Sequence, residues 1–247
     1  MTVSVFADID AMSRAAAELF AVAAKKAVDA RGKYIVALCG GNTPRRMHEF
    51  LASSPFNNRV PWDRIHVFWG DERCVPLDDP RNNADNAIDQ LLSKVPINEA
   101  HIHRIESDLP PREAARLYEK QLHEFFDNKT PRFDLTFLGL GENGHTASLF
   151  PGTPIVDETK RWVSEVFVEE QKMHRVSLTS WTINQSRRIV FLVAGKEKAH
   201  VLHEVLDGDA EPKRLPAQLI APVDGELYWY VDEEAAFFLE SVSHREK

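Results

Sequence analysis

Glycine is scarce in this chain. Eleven of its 247 residues are glycine, well under the usual ~7%. That excludes collagen-like repeats and Gly-rich linkers, and it makes each glycine present a place where a side chain would not fit. Cysteine is scarcer still. Cys39 and Cys74 are the only two, too few for a disulfide framework. No apolar run reaches the ~18 residues of a membrane helix. Basic charge is in deficit, with 30 Lys plus Arg against 38 Asp plus Glu and a net charge of −8. Such a balance disfavours nucleic acid and anionic membranes as partners. The opening Met1-Thr-Val-Ser-Val-Phe-Ala-Asp8 lacks the basic-then-apolar layout of a signal peptide. The expectation is a cytoplasmic protein with reduced thiols.

What is present is ordinary for a globular protein: 43% apolar and 28% charged residues. The length suits a single domain over 1–247. Helix and strand patterns alternate almost throughout. Alanine-rich helical spacing runs from Asp8 to Ala30, with Gly32 as its stop. Tyr34–Leu38, Arg64–Trp69, His101–Ile105 and Phe133–Leu138 read as strands, and Tyr34–Leu38 is the first in the chain. Trp162–Val168, Arg175–Thr179, Arg188–Val193 and Glu226–Val231 read likewise. Helices are expected from Thr43 (as cap) to about Ala52, from Asn82 or Asn83 through Leu92, and from Pro111 through Phe126. Two more follow at Lys196–Leu206 and Asp232 to about Leu239. Such alternation implies an α/β fold with a mostly parallel sheet, flanked by helices on both faces. Ligands in such folds sit at the carboxyl ends of the strands.

Three strand ends stand out. Cys39-Gly-Gly-Asn-Thr43 opens a helix, so its unobstructed N–H groups could hold phosphate or carboxylate. It could equally be an ordinary tight turn, and it lacks the Lys of a nucleoside-triphosphate loop. Gly70-Asp-Glu-Arg73 offers a guanidinium that forks onto anionic oxygens, steadied by Asp71 or Glu72. A solvated charged turn would look the same. Gly139-Leu-Gly-Glu-Asn-Gly144 matches the dinucleotide fingerprint but fails in context. Pro151-Gly152 interrupts any following helix, so no NAD site is expected. The same loop presents His145, whose ordinary pKa near ~6.5 suits base catalysis.

The other candidates are weaker. His101-x-His103 and His200-x-x-His203 lack a Cys or carboxylate at metal-site spacing and read as incidental surface histidines, so no metal is expected. Cys39 and Cys74 read as small buried thiols. Ser148 lacks the Gly-x-Ser-x-Gly elbow of a catalytic triad.

Together these segments resemble the glucosamine-6-phosphate isomerase/6-phosphogluconolactonase family. The resemblance rests on Gly40-Gly-Asn-Thr-Pro44, Trp69-Gly-Asp-Glu-Arg-Cys-Val-Pro76 with Asn83, and Leu138-Gly-Leu-Gly-Glu-Asn-Gly-His-Thr-Ala-Ser-Leu-Phe-Pro-Gly152. Lys172–Thr179, Phe191–Ala199, Pro216-Ala-Gln218 and Leu227–Asp232 follow in the family's order. Two departures stand out. Cys39 and Asn42 occupy positions that are serine in the family's usual first loop. Asn143 stands where the family usually has Asp, so His145 is oriented but not ion-paired.

The resemblance implies a modified Rossmann-like fold and, within the family, the lactonase branch. The implied reaction is hydrolysis of 6-phospho-D-glucono-1,5-lactone, with His145 as general base and Asn143 beside it. Gly40, Gly41, Asn42, Thr43, Arg73 and Lys172 are the implied substrate or phosphate ligands. N–H groups around Gly141–Gly144 would serve a developing oxyanion. No cofactor is implied, and the expected partner is a small sugar-phosphate lactone met by a monomer. The alternatives are the deaminase branch and a sugar-phosphate sensor. The sensor would need a helix-turn-helix and a basic face, neither of which this acidic chain displays.

Overall fold

The computed structural model describes residues 1–240 and the short strand His244–Arg245. In chain order the strands and α-helices are β1 Thr2–Phe6, α1 Ile9–Arg31, β2 Tyr34–Leu38, α2 Thr43–Leu51, β3 Ile65–Trp69 and β4 Asp71–Arg73. Then come α3 Asn83–Gln90, β5 Ile102–His103, α4 Pro111–Phe125, β6 Leu135–Leu138, β7 Val163–Val168 and β8 Met173–Leu178. The last are α5 Ser180–Ile183, β9 Arg188–Val193, α6 Ala199–Leu206, β10 Glu226–Asp232 and β11 His244–Arg245.

Eight strands form one sheet, in the order β11-β1-β10-β9-β6-β2-β3-β5. Every pairing in it is parallel. Parallel strands need cover on both faces, and β2 and β6 are buried along their whole length. Helix α1 supplies cover through Met12, Ala16, Ala17, Phe20, Ala24 and Ala27, all buried on one face. The Asp8 carboxylate caps its start by accepting the Ala11 N–H at 2.8 Å, and Gly32 ends it at φ 75°.

A second, three-stranded antiparallel sheet, β4-β8-β7, sits beside the first. It corrects the reading of Gly70–Arg73 as a loop: Asp71–Arg73 is a strand. The adjoining Asp71 and Glu72 are buried, not solvated. Charged residues disguise a strand whose partner lies about a hundred positions later.

Three other expectations change. β1 precedes α1, so Tyr34–Leu38 is the second strand. Its five residues depend on β10, far along the chain, so no local signal marks them. Residues 233–238 form turns, not a helix. Only Ala235 is buried among them, while Phe237 and Phe238 are exposed, so no apolar stripe favours a helix. At α2 the cap position belongs to Asn42 instead of Thr43, and the Asn42 side chain makes no capping bond.

His101 and His103 are not incidental. His66 Nδ1 lies 3.1 Å from His103 Nε2, and the His103 ring stacks on Phe68 at 4.2 Å. His203 pairs with Asp207 at 3.4 Å. Burial pushes His48, His66 and His103 down to about 4. The unfolded chain therefore binds more protons than the folded one between pH ~4 and ~6.5. Stability is fully present above pH ~6.5 and falls as pH drops through that window. Urea midpoints measured at pH 7.5 and pH 5.0 should differ, with the lower value at pH 5.0. Equal midpoints would refute the burial of neutral imidazoles.

Candidate active site

One cleft of about 440 Å³ opens at the carboxyl ends of β2, β6 and β9, where the parallel-sheet rule places it. It brings together Gly40, Gly41, Asn42, Thr43, Arg73 and His145. Lys172 is not among its lining. It lines a separate pocket with Cys74, Arg81 and His174. Asn143 does not line the cleft, but it holds a residue that does.

His145 is built in from three sides. Its ring stacks on Phe150 at 3.9 Å with an 18° interplanar angle. Asn143 Oδ1 accepts the His145 backbone N–H at 3.2 Å and lies 2.6 Å from His145 Nδ1. The atom that accepts an amide proton is the amide oxygen, so Nδ1 carries the ring proton and Nε2 keeps its lone pair. Gly141 leaves the ring its space: a Cβ there would lie 2.0 Å from His145 Cε1. Burial, then the Arg175 cation, hold the imidazole down at about 4. It is neutral at pH 7 and free to take a proton.

Sequence reasoning missed the cationic wall. The β4–β8 register sets Arg73 directly opposite Arg175, and both line the cleft with Lys198. Like charges face to face are unfavourable unless something anionic lies between or beneath them. Asp71 lies beneath: its Oδ2 is 3.4 Å from Arg175 Nη1 and accepts the Ser148 hydroxyl at 2.6 Å. The Arg73 guanidinium bonds to neither Asp71 nor Glu72; Glu72 holds Arg73 only through its backbone N–H. Arg73 Nη1 donates to the Arg81 carbonyl and to Asn83 Oδ1, each at 2.6 Å. Gly40 admits that Asn83 side chain, since a Cβ on Gly40 would fall 1.7 Å from Asn83 Oδ1. Glu72 accepts the N–H groups of Arg73, Asn83 and Ala84, each at 2.8 Å. It ties β4 to the start of α3, although burial pushes its carboxyl up to about 7. Arg175 shares its face of β8 with Met173 and Ser177, so a cation within a short strand is the one local signal that could have flagged it. Nothing local could have paired it with Arg73.

At the first loop α2 starts with no side-chain cap, and Gly41, Asn42 and Thr43 line the cleft beside that start, the setting an anion site needs. In the third loop two of the N–H groups expected at an oxyanion are already taken. Gly141 N–H donates to the His145 carbonyl at 2.8 Å and Gly144 N–H to the Gly141 carbonyl at 3.0 Å. Both donors are consumed in the turn and do not serve an oxyanion. Cys39 lines the cleft as a buried free thiol, pushed up to about 12 by burial. It is no nucleophile at neutral pH. Among the described residues no group of three His, Cys, Asp or Glu could hold a metal ion. No described helix is long and apolar enough to cross a membrane.

An α/β sheet with a cationic, histidine-bearing cleft at its carboxyl edge defines a class of small-anion sites. The relationship is narrower than that. A family model for glucosamine-6-phosphate isomerases/6-phosphogluconolactonase matches residues 7–229, and the chain belongs to this family. It is 42% identical over 214 residues to a 6-phosphogluconolactonase of Synechocystis sp., covering 85% of this chain and 86% of that one. Among solved structures it resembles 6-phosphogluconolactonase from Trypanosoma brucei, with a TM-score of 0.86 and 29% identity over 96% of this chain and 98% of the other. It also resembles 6-phosphogluconolactonase from Thermotoga maritima, with a TM-score of 0.80 and 31% identity over 94% and 99%.

Proposed function

We propose that the protein hydrolyses 6-phospho-D-glucono-1,5-lactone to 6-phospho-D-gluconate, the step its relatives are named for. The observation that carries this reading is one neutral imidazole and two facing guanidiniums in a single cleft. A lactone is an activated ester and needs neither metal nor covalent nucleophile. His145 Nε2 takes a proton from water as the oxygen attacks C1. The ring C–O bond then breaks, and the imidazolium returns the proton to the departing ring oxygen. Asn143 holds Nδ1–H throughout and keeps the tautomer.

The phosphate supplies the binding energy that orients C1. Arg73, Arg175 and the Gly40–Thr43 turn are its proposed ligands, with Lys198 at the cleft wall. Lys172, in the separate pocket, is left out of this set. The family's other activity releases ammonia from an amino sugar phosphate. Freshly generated lactone, coupled to 6-phosphogluconate dehydrogenase, should be consumed well above its spontaneous rate, with no ammonia from glucosamine 6-phosphate. Ammonia release without lactone turnover would overturn the assignment.

Asn143 gives a separate prediction. A carboxylate against Nδ1 favours the imidazolium, so Asn143→Asp should raise the His145 pKa. The base is active above its pKa, so the acid limb of kcat/KM should move from near pH 4 toward neutrality. An unmoved acid limb would show that His145 is not the titrating base.

A further inference from the structure

The opposite end of the sheet holds a second cationic basin. It lies at the amino ends of β2, β6, β9 and β10, against the last turns of α1, and its volume is about 480 Å³. Lys26, Arg31, Arg132, Arg187 and Arg188 line it, against Asp134, Asp224 and Glu226. Five cations face three carboxylates in a chain whose net charge is −8. The C-terminal end of α1 accounts for Arg31. It does not account for the arginines brought in from two other segments, Arg132 before β6 and Arg187-Arg188 at the start of β9.

Each carboxylate is already in use. Asp134 Oδ1 takes Arg31 Nη2 at 2.6 Å and lies 3.3 Å from Arg187 Nε, while its Oδ2 accepts the Ile35 N–H at 3.0 Å. Asp224 takes Arg132 Nη2 at 2.8 Å. Glu226 takes Arg188 Nε at 2.6 Å. Arg187 therefore shares an acceptor with Arg31. The Nε atoms of Arg132 and Arg187 are buried without a hydrogen-bond partner, as is the Tyr34 hydroxyl beneath. Burial, then the nearby Arg31 and Arg132 cations, lower the Arg187 pKa. A guanidinium held this way lacks an anion on its terminal nitrogens.

We propose that this basin is a second anion site, taking a compact, multiply charged ligand of the phosphate-monoester class between Arg31, Arg132 and Arg187. A nucleic-acid backbone fits poorly, because Asp224 and Glu226 stand at the rim of a concave site on an acidic surface. Strands β2, β6 and β9 run from the basin straight into the catalytic cleft, so an occupant would sit at the far end of the same rigid strands.

Inorganic phosphate is the probe, followed by calorimetry and ³¹P line broadening on the whole protein. Two sites per chain are expected. Arg187→Gln should abolish one and leave lactone kcat/KM within about twofold, and Arg132→Gln should weaken the same one about tenfold. Arg73→Gln should abolish only the other. The Gln variants keep bulk and hydrogen bonding, and circular dichroism checks that each folds. A single site, lost on Arg73→Gln and indifferent to Arg187→Gln, would overturn the proposal. So would a basin that binds chloride as tightly as phosphate.

Discussion

Replacing His145 by alanine should lower lactone turnover by about 10²–10⁴-fold, the usual contribution of a positioned base. The loss should fall on kcat with little change in KM, because the imidazole acts on water and not on the phosphate. Phe150 and Gly141 hold the ring in place without depending on it, so the fold should survive. The coupled assay, corrected for spontaneous hydrolysis, is the measurement. Wild-type turnover in His145→Ala would sink the proposed base outright. A linked result concerns pH. The Arg175 cation helps hold the imidazole down. A bound phosphate dianion would offset that cation, so the acid limb of kcat should lie above that of kcat/KM.

Arg175→Ala should have the second large effect, on stability and on binding together. Arg175 and Asp71 are each about 8% exposed at the side chain, and their ion pair is closed at 3.4 Å. Removing one partner of a buried pair costs about 3–5 kcal/mol, because the other charge stays buried. The Ser148 hydroxyl would be left as the Asp71 side chain's remaining donor among those described. At ~2–4 °C per kcal/mol for a chain of this size, the melting temperature should fall by roughly 10 °C. The lactone KM should rise by about 10–100-fold, from loss of a charge-assisted bond worth ~1.5–3 kcal/mol. The His145 acid limb should move up in the same variant, because a repelling cation has gone. That shift distinguishes a direct role in the cleft from simple destabilisation. A normal KM with a lowered melting temperature would leave Arg175 a structural residue and refute its place at the phosphate.

The two arginines show what can be read locally and what cannot. Arg73 was legible because it follows an apolar strand at a glycine, where ligands gather. Arg175 sits in an ordinary-looking stretch, and its partner Asp71 is 104 positions away. Only pairing of β4 with β8 makes them neighbours. Lys172 illustrates the converse. Its neighbourhood in sequence resembles the family's, yet the left-handed turn at φ 47° just before β8 turns it toward the separate pocket.

By itself the sequence determined the alternation of strand and helix, because period and capping are written in consecutive residues. It also determined where glycine must admit something. Of the scarce glycines, Gly40 makes room for Asn83 and Gly141 for the His145 ring. Tertiary structure alone decided what those side chains do. Long-range pairing buried Asp71, set two cations face to face and, by burial first and the Arg175 cation second, held the His145 imidazole low. A pKa, an ion pair and an anion site arise from the field of groups distant in the chain, and that field exists only once the sheet has closed.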